Sequence, residues 1–150
     1  MEHEQFVSVI NSAIEREIES AELYTGLSKR ASKSGVEIFF KELAGEERKH
    51  KELLEKILNE EKVELKLKDV PDLKISDYVT EQEYSDEMSY QDALIMAMNN
   101  EENARDLYNF LAETTLDPEL QKVFMFLAQQ EAGHKLKLEE EYDDVILAED

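Results

Sequence analysis

The sequence predicts an all-α protein: a four-helix bundle made of two duplicated antiparallel hairpins joined by a long crossover. Three observations carry this. Apolar residues recur at helical spacing in four separate stretches. Glycine and proline are scarce, 4 and 2 in 150 residues, and 36% of residues are charged, a balance that favours long helices over a strand-rich sandwich or barrel. A shift of 84 residues lays the second half of the chain on the first without a gap.

The first helix is expected over about 4–31, with Phe6, Ile10, Ala13, Ile14, Ala21, Tyr24 and Leu27 at the 3.6-residue period. The second follows "SKSG", over about 35–60. Ser34 and Glu37 fit a capping box with Ser34 as N-cap, and Val36, Phe40, Leu43, Leu54 and Ile57 share one face. The third runs from near Ser89, which with Asp92 can form another cap, to Thr114. The fourth starts at Asp117 as N-cap and Pro118 as first helical residue, where a missing N–H costs nothing, and runs to about Tyr142. "SKSG" and "TTLDP" are short links, which make antiparallel neighbours. The crossover, about 61–88, is long enough to span a bundle. Its "VELKLKDV" alternates like an edge strand, Pro71 interrupts helix, and residues 80–88 can add a turn.

The duplication pairs Ala13 with Ala97, Glu17 with Glu101, Leu23 with Leu107, Tyr24 with Tyr108 and Leu27 with Leu111. In the second helix of each hairpin it pairs Phe40 with Phe124, Leu43 with Leu127, Glu47 with Glu131, His50 with His134 and Leu54 with Leu138. One offset spans both helices and the turn between them, which predicts a pseudo-two-fold bundle. The length suits one domain, residues 1–150, with a real core.

The net charge of −20 argues against nucleic acid and against an anionic membrane surface as partners. No cysteine is present, which removes disulfides, thiolate chemistry and sulfur-ligated metals. The opening "MEHEQFVSVI" is neither basic nor a long apolar run, so no signal peptide is expected, and no stretch is long enough for a transmembrane helix. A cytoplasmic location is the expectation.

Polar residues interrupt the apolar faces at matching places. They are Glu17 on the first helix, Glu47 and His50 on the second, Glu101 on the third, and Glu131 and His134 on the fourth. Each Glu–His pair is spaced i, i+3, so both side chains point to one side. Glu17 precedes the first turn by about fifteen residues, and Glu47 and His50 follow it by about fifteen to eighteen, so at 1.5 Å per residue they share one level. The second hairpin repeats this. Four ionised carboxylates crowded in a dry core would protonate or repel one another. Two divalent ions resolve the conflict, and carboxylate and imidazole donors without sulfur suit iron, with manganese possible. One Glu from each of two helices and Glu-x-x-His from each of the other two is the ligand set of a di-metal carboxylate bundle. Glu47 and Glu131 are the expected bridges, Glu17 and Glu101 the terminal ligands, with one histidine per ion. Open positions would admit peroxide or O₂. His3, isolated near the N-terminus, is not expected to ligate. Tyr24 and Tyr108 lie seven residues after Glu17 and Glu101 and read equally as core aromatics or as hydrogen-bonding neighbours of the site. Glu22, Glu46, Glu102 and Asp106 read as solvated, and Gly133 as relief of crowding against a neighbouring helix or subunit.

These residues resemble the ferritin-like superfamily, and within it the rubrerythrin-type di-iron domain, over nearly all of residues 5–143 apart from the crossover. "EREIESAELY" is similar to that family's first metal helix, "GEERKH" to its second, "EENARDLY" to its third and "QQEAGH" to its fourth. Two departures stand out. The cysteine-ligated rubredoxin domain usual in rubrerythrins has no counterpart, so an external electron donor, such as a small redox protein, is expected. The family's additional glutamate, one turn after the third-helix ligand, is Ala104 here. That implies a more symmetric site, of ferritin or bacterioferritin type.

The resemblance implies a di-iron oxidoreductase with two iron ions, reducing peroxide or activating O₂ as a peroxidase or ferroxidase in oxidative stress. It also implies a homo-dimer or higher homo-oligomer. The alternatives are an iron or manganese storage or binding protein, and a non-catalytic helical scaffold stabilised by metal.

Overall fold

The computed structural model describes residues 3–31, 33–61, 65, 67, 69–78, 84–85 and 87–145. Its elements are helices α1 (His3–Lys29), α2 (Ser34–Leu58), α3 (Tyr90–Thr114) and α4 (Pro118–Val145), with a single 3₁₀ turn at Ile75–Tyr78 between α2 and α3. No strand occurs among the described residues, and none of the helices they form is long and apolar enough to cross a membrane. The chain divides into two compact units, Met1–Glu64 and Leu65–Asp150. In the first, α1 packs on α2; in the second, α3 packs on α4.

Local chemistry explains the helix starts. Ser89 Oγ accepts from the Asp92 amide at 3.1 Å, and Asp117 Oδ1 accepts from Glu119 N at 3.0 Å, each satisfying an otherwise orphaned donor. The expected cap at Ser34 is corrected. The N-cap of α2 is Lys33, extended at φ −117° and ψ 139°, and no side chain caps it. The helix begins one residue early because the Lys33 carbonyl already accepts from the Glu37 amide at 3.1 Å. At its other end α2 stops with Glu60 in the left-handed region, φ 60°. Glu60 N and Glu61 N return to the carbonyls of Ile57 and Lys56, closing a Schellman motif without glycine.

Each unit has its own dry face. Ile10, Ala13, Tyr24, Leu27, Phe40, Leu43 and Leu54 are buried in the first. Ala97, Tyr108, Phe124, Leu127 and Leu138 are buried in the second, and the last four are the duplicates of Tyr24, Phe40, Leu43 and Leu54. Tyr24 stacks on Phe40 with centroids 6.2 Å apart, and Tyr108 on Phe124 at 6.3 Å. Aromatic pairs of this kind contribute roughly 0.5–1.5 kcal/mol beyond their buried area.

In the crossover, Leu65, Leu67, Asp69 and Val70 are not in a strand, and residues 63, 64, 66 and 68 of the expected alternation lie outside the described residues. The expected extra turn occurs where Met88 N bonds to Ser85 O at 3.3 Å. Around Gly133 an added Cβ would meet nothing within 4 Å, so the expectation of crowding against a neighbouring helix is corrected.

Candidate metal centre

Helical register delivers the same three donors in each unit. On α1 and α2, Glu17, Glu47 and His50 come together. Their side chains are at most 4% exposed, and His50 Nδ1 lies 3.5 Å from Glu17 Oε2 and 3.6 Å from Glu47 Oε1. On α3 and α4, Glu101, Glu131 and His134 repeat this, with His134 Nδ1 3.5 Å from Glu101 Oε2 and 3.4 Å from Glu131 Oε1. Within each triad, one donor atom per residue lies within 4.8 Å of the other two.

These separations are longer than hydrogen bonds, which run about 2.7–3.2 Å. They match neighbouring ligands on one ion, since metal–donor bonds of about 2.0–2.2 Å place adjacent donors about 3 Å apart or a little more. Taking an ionised carboxylate out of water costs several kcal/mol, so two in one dry pocket need positive charge close by. Oxygen and imidazole donors without sulfur suit iron or manganese. Each triad therefore fits the cation that its sequence pattern implies.

Tyr24 and Tyr108 are fully buried, with their rings stacked on Phe40 and Phe124. Ala104 is fully buried on α3, without a carboxylate. His3 is exposed and its ring stacks on Phe6.

Periodicity passes over two features. The first is Arg16, whose Nη1 lies 3.7 Å from Glu17 Oε1 and 3.9 Å from Glu47 Oε2. The second is a charge cluster in the second unit. The crossover lays Asp72 against Lys135 Nζ at 2.6 Å and Arg105 Nη1 at 2.7 Å. The Lys135 ammonium also lies 3.7 Å from Glu102 and 3.8 Å from Glu139. Glu139, fully buried, accepts from the amides of Leu73 at 3.3 Å and Ile75 at 2.8 Å. Ser76 Oγ donates to Glu102 at 3.0 Å, so Glu102 is not merely solvated, and Arg105 stands between Glu102 and Asp106 as their shared counter-charge. Burial alone would raise the Asp72 pKa. Hydrogen bonds from Lys135, the Lys74 amide and Arg105 outweigh it and hold the carboxyl at about 2. The available signal was register, because Lys135 and Glu139 each follow a buried residue, His134 and Leu138. Nothing in the sequence placed Asp72 over them.

Among curated proteins, none matches. A hypothetical protein from Pyrococcus furiosus has a similar structure, with TM-score 0.67 and 24% identity over 92% of this chain and 88% of that one. A candidate ferritin-like diiron-carboxylate protein from Thermotoga maritima matches with TM-score 0.66 and 23% identity, over 90% of this chain and 92% of that one. Both likenesses show a shared ferritin-like fold. The rubrerythrin family model matches residues 8–142, which hold all six triad residues. The chain belongs to the rubrerythrin family, and its buried glutamate–histidine triads fit a di-iron protein.

Proposed function

We propose that Glu17, Glu47, His50, Glu101, Glu131 and His134 hold two iron ions. On this reading the protein is an oxidoreductase that reduces peroxide or activates O₂. The observation that carries the reading is the repetition of a buried Glu–Glu–His triad with Nδ1–carboxylate distances between 3.4 and 3.6 Å in both units. When bound, a pair of irons supplies two electrons to an O–O bond. The chain's own residues do the rest. The carboxylates neutralise the ions and favour their oxidised state. Nδ1 of each histidine faces the carboxylates, which requires that nitrogen to be deprotonated for ligation. The stacked Tyr24–Phe40 and Tyr108–Phe124 pairs form dry walls in each unit. Electrons come from a separate redox protein, and the working form is a homo-oligomer.

A second reading has a specific observation in its favour. Ala104 is buried where the resemblance expects a further glutamate, and a site without that carboxylate suits ferroxidase or iron and manganese binding more than peroxide turnover.

One experiment separates the two. Protein purified anaerobically and loaded with Fe(II) is mixed with peroxide or with O₂, and the optical spectrum is followed. Faster oxidation by peroxide than by O₂, with reduction restoring reactivity, supports the peroxidase. Preference for O₂ with iron retained supports ferroxidase or storage. Failure to bind iron or manganese sinks both.

A further inference from the structure

One carboxylate of the crossover ties α3 to α4 beside the second triad. Asp72 Oδ1 accepts from Lys135 Nζ of α4 at 2.6 Å, and Asp72 Oδ2 accepts from Arg105 Nη1 of α3 at 2.7 Å. The residues that follow grip the same two helices. The Leu73 and Ile75 amides donate to Glu139 of α4, and Ser76 Oγ donates to Glu102 of α3. Lys135 and Glu139 are buried, so their bonds form where water competes little. All four anchors stand close to metal-donor residues. Glu102 and Arg105 are one and four residues after Glu101, and Lys135 and Glu139 are one and five after His134. Each therefore lies within about 8 Å of a donor residue along its helix axis. The triad draws Glu101 from α3 and Glu131 and His134 from α4. Its donor spacing thus follows how α3 sits on α4, which is what residues 72–76 clamp. The 84-residue repeat carries only part of this clamp. Lys135 and Glu139 have the copies Lys51 and Glu55, whereas Glu102 and Arg105 correspond to Ile18 and Ala21.

We propose that Asp72 is a positioning residue for metal at the Glu101–Glu131–His134 triad, holding α3 and α4 at the spacing where the three donors converge. The inference rests on the reading of that triad as a cation site. Such coupling is reciprocal. A docked crossover tightens the ion, and the ion tightens docking by the same factor. Metal loading therefore closes residues 72–76 onto α3 and α4, and their release lets the ion exchange.

The test uses full-length protein, stripped of metal and titrated calorimetrically with Mn(II), for wild type, Asp72→Asn and Glu55→Gln. Asparagine keeps the shape of Asp72 and removes the charge that bridges Lys135 and Arg105. Asp72→Asn should weaken at least one Mn(II) ion about tenfold, within the roughly 5–150-fold range usual for coupled sites. Glu55→Gln alters the exposed copy of Glu139 and should leave affinity unchanged. Hydrogen exchange of the peptide holding Leu73 and Ile75 is the second readout. In wild type it should slow about tenfold on Mn(II) loading, and in Asp72→Asn it should be fast with or without metal. A merely structural crossover would lose melting temperature in Asp72→Asn while Mn(II) affinity stayed the same. Unchanged affinity in Asp72→Asn, or wild-type exchange that ignores Mn(II), overturns the proposal. The wild-type exchange decides it alone if Asp72→Asn does not fold. Wild type that binds neither Mn(II) nor Fe(II) stoichiometrically overturns the metal reading, and the proposal with it.

Discussion

The lysine–glutamate pair Lys51–Glu55 on α2 and its copy Lys135–Glu139 on α4 occupy the same register one duplication apart, yet they live in different solvents. Lys51 and Glu55 sit 3.9 Å apart with side chains 38% and 47% exposed. Lys135 and Glu139 are 3.8 Å apart and almost wholly buried. The cause is the crossover. Its Asp72–Ile75 stretch docks on α3 and α4, gives Lys135 a third carboxylate and sends two backbone amides into Glu139. The ends of the hairpins differ in the same sense. Tyr90 donates to Glu141 at 2.7 Å, and Gln91 to the Tyr142 hydroxyl, where the first hairpin has Phe6, Val7, Ile57 and Leu58. Identical sequence positions thus mean a surface pair in one hairpin and a core ion cluster in the other. What covers a residue decides its energetics, even where local sequence is repeated.

The largest effect is expected from removing the buried cation. Lys135→Ala leaves the carboxylates of Asp72, Glu102 and Glu139 without their common ammonium, and should cost about 3–5 kcal/mol in denaturant unfolding. Lys51→Ala should cost about 0.5 kcal/mol or less, as exposed pairs do. Equal losses would mean that the crossover does not hold its docked position.

Next comes acid. The Asp72 carboxyl titrates at about 2 when folded and at the ordinary 3.8 when unfolded. A depressed pKa of this kind adds stability that is complete above pH 4 and drains away as pH falls towards 2. Asp72→Asn should flatten stability across that window and leave its shape near neutrality unchanged. The readout is a urea midpoint measured at a series of pH values.

A smaller loss, about 1 kcal/mol, is expected for Tyr90→Phe, which removes one hydrogen bond to a charged partner and copies the apolar Phe6 of the first hairpin. The smallest effect should be a gain. Gly133→Ala fills a helix position where a Cβ meets nothing within 4 Å, and should stabilise the chain by up to about 1 kcal/mol. A loss there would indicate a second copy packed against α4.

These contrasts mark what could be read from the sequence. The four helices, the caps at Ser89 and Asp117 and both triads followed from 3.6-residue spacing and from the 84-residue repeat, because helix register is a local property. Ser34 was misplaced by one residue because its neighbour Lys33 was already extended and its carbonyl had closed the first turn. Asp72, Arg105, Lys135 and Glu139 could not be assembled, since the repeat is silent about a segment that occurs once. Arg16 carries no signal in the helical period or in the repeat. Only the position of its guanidinium relative to Glu17 and Glu47 distinguishes it.

The most direct test of the paired triads is the iron content of protein reconstituted anaerobically with Fe(II), for wild type, His50→Ala, His134→Ala and His3→Ala. Wild type and His3→Ala should hold about two irons per chain, the complement of a di-metal carboxylate set, and each of His50→Ala and His134→Ala should lose much of it. Stoichiometric iron that survives both triad substitutions, or a wild type that holds none, would contradict the reading of both triads as iron ligands.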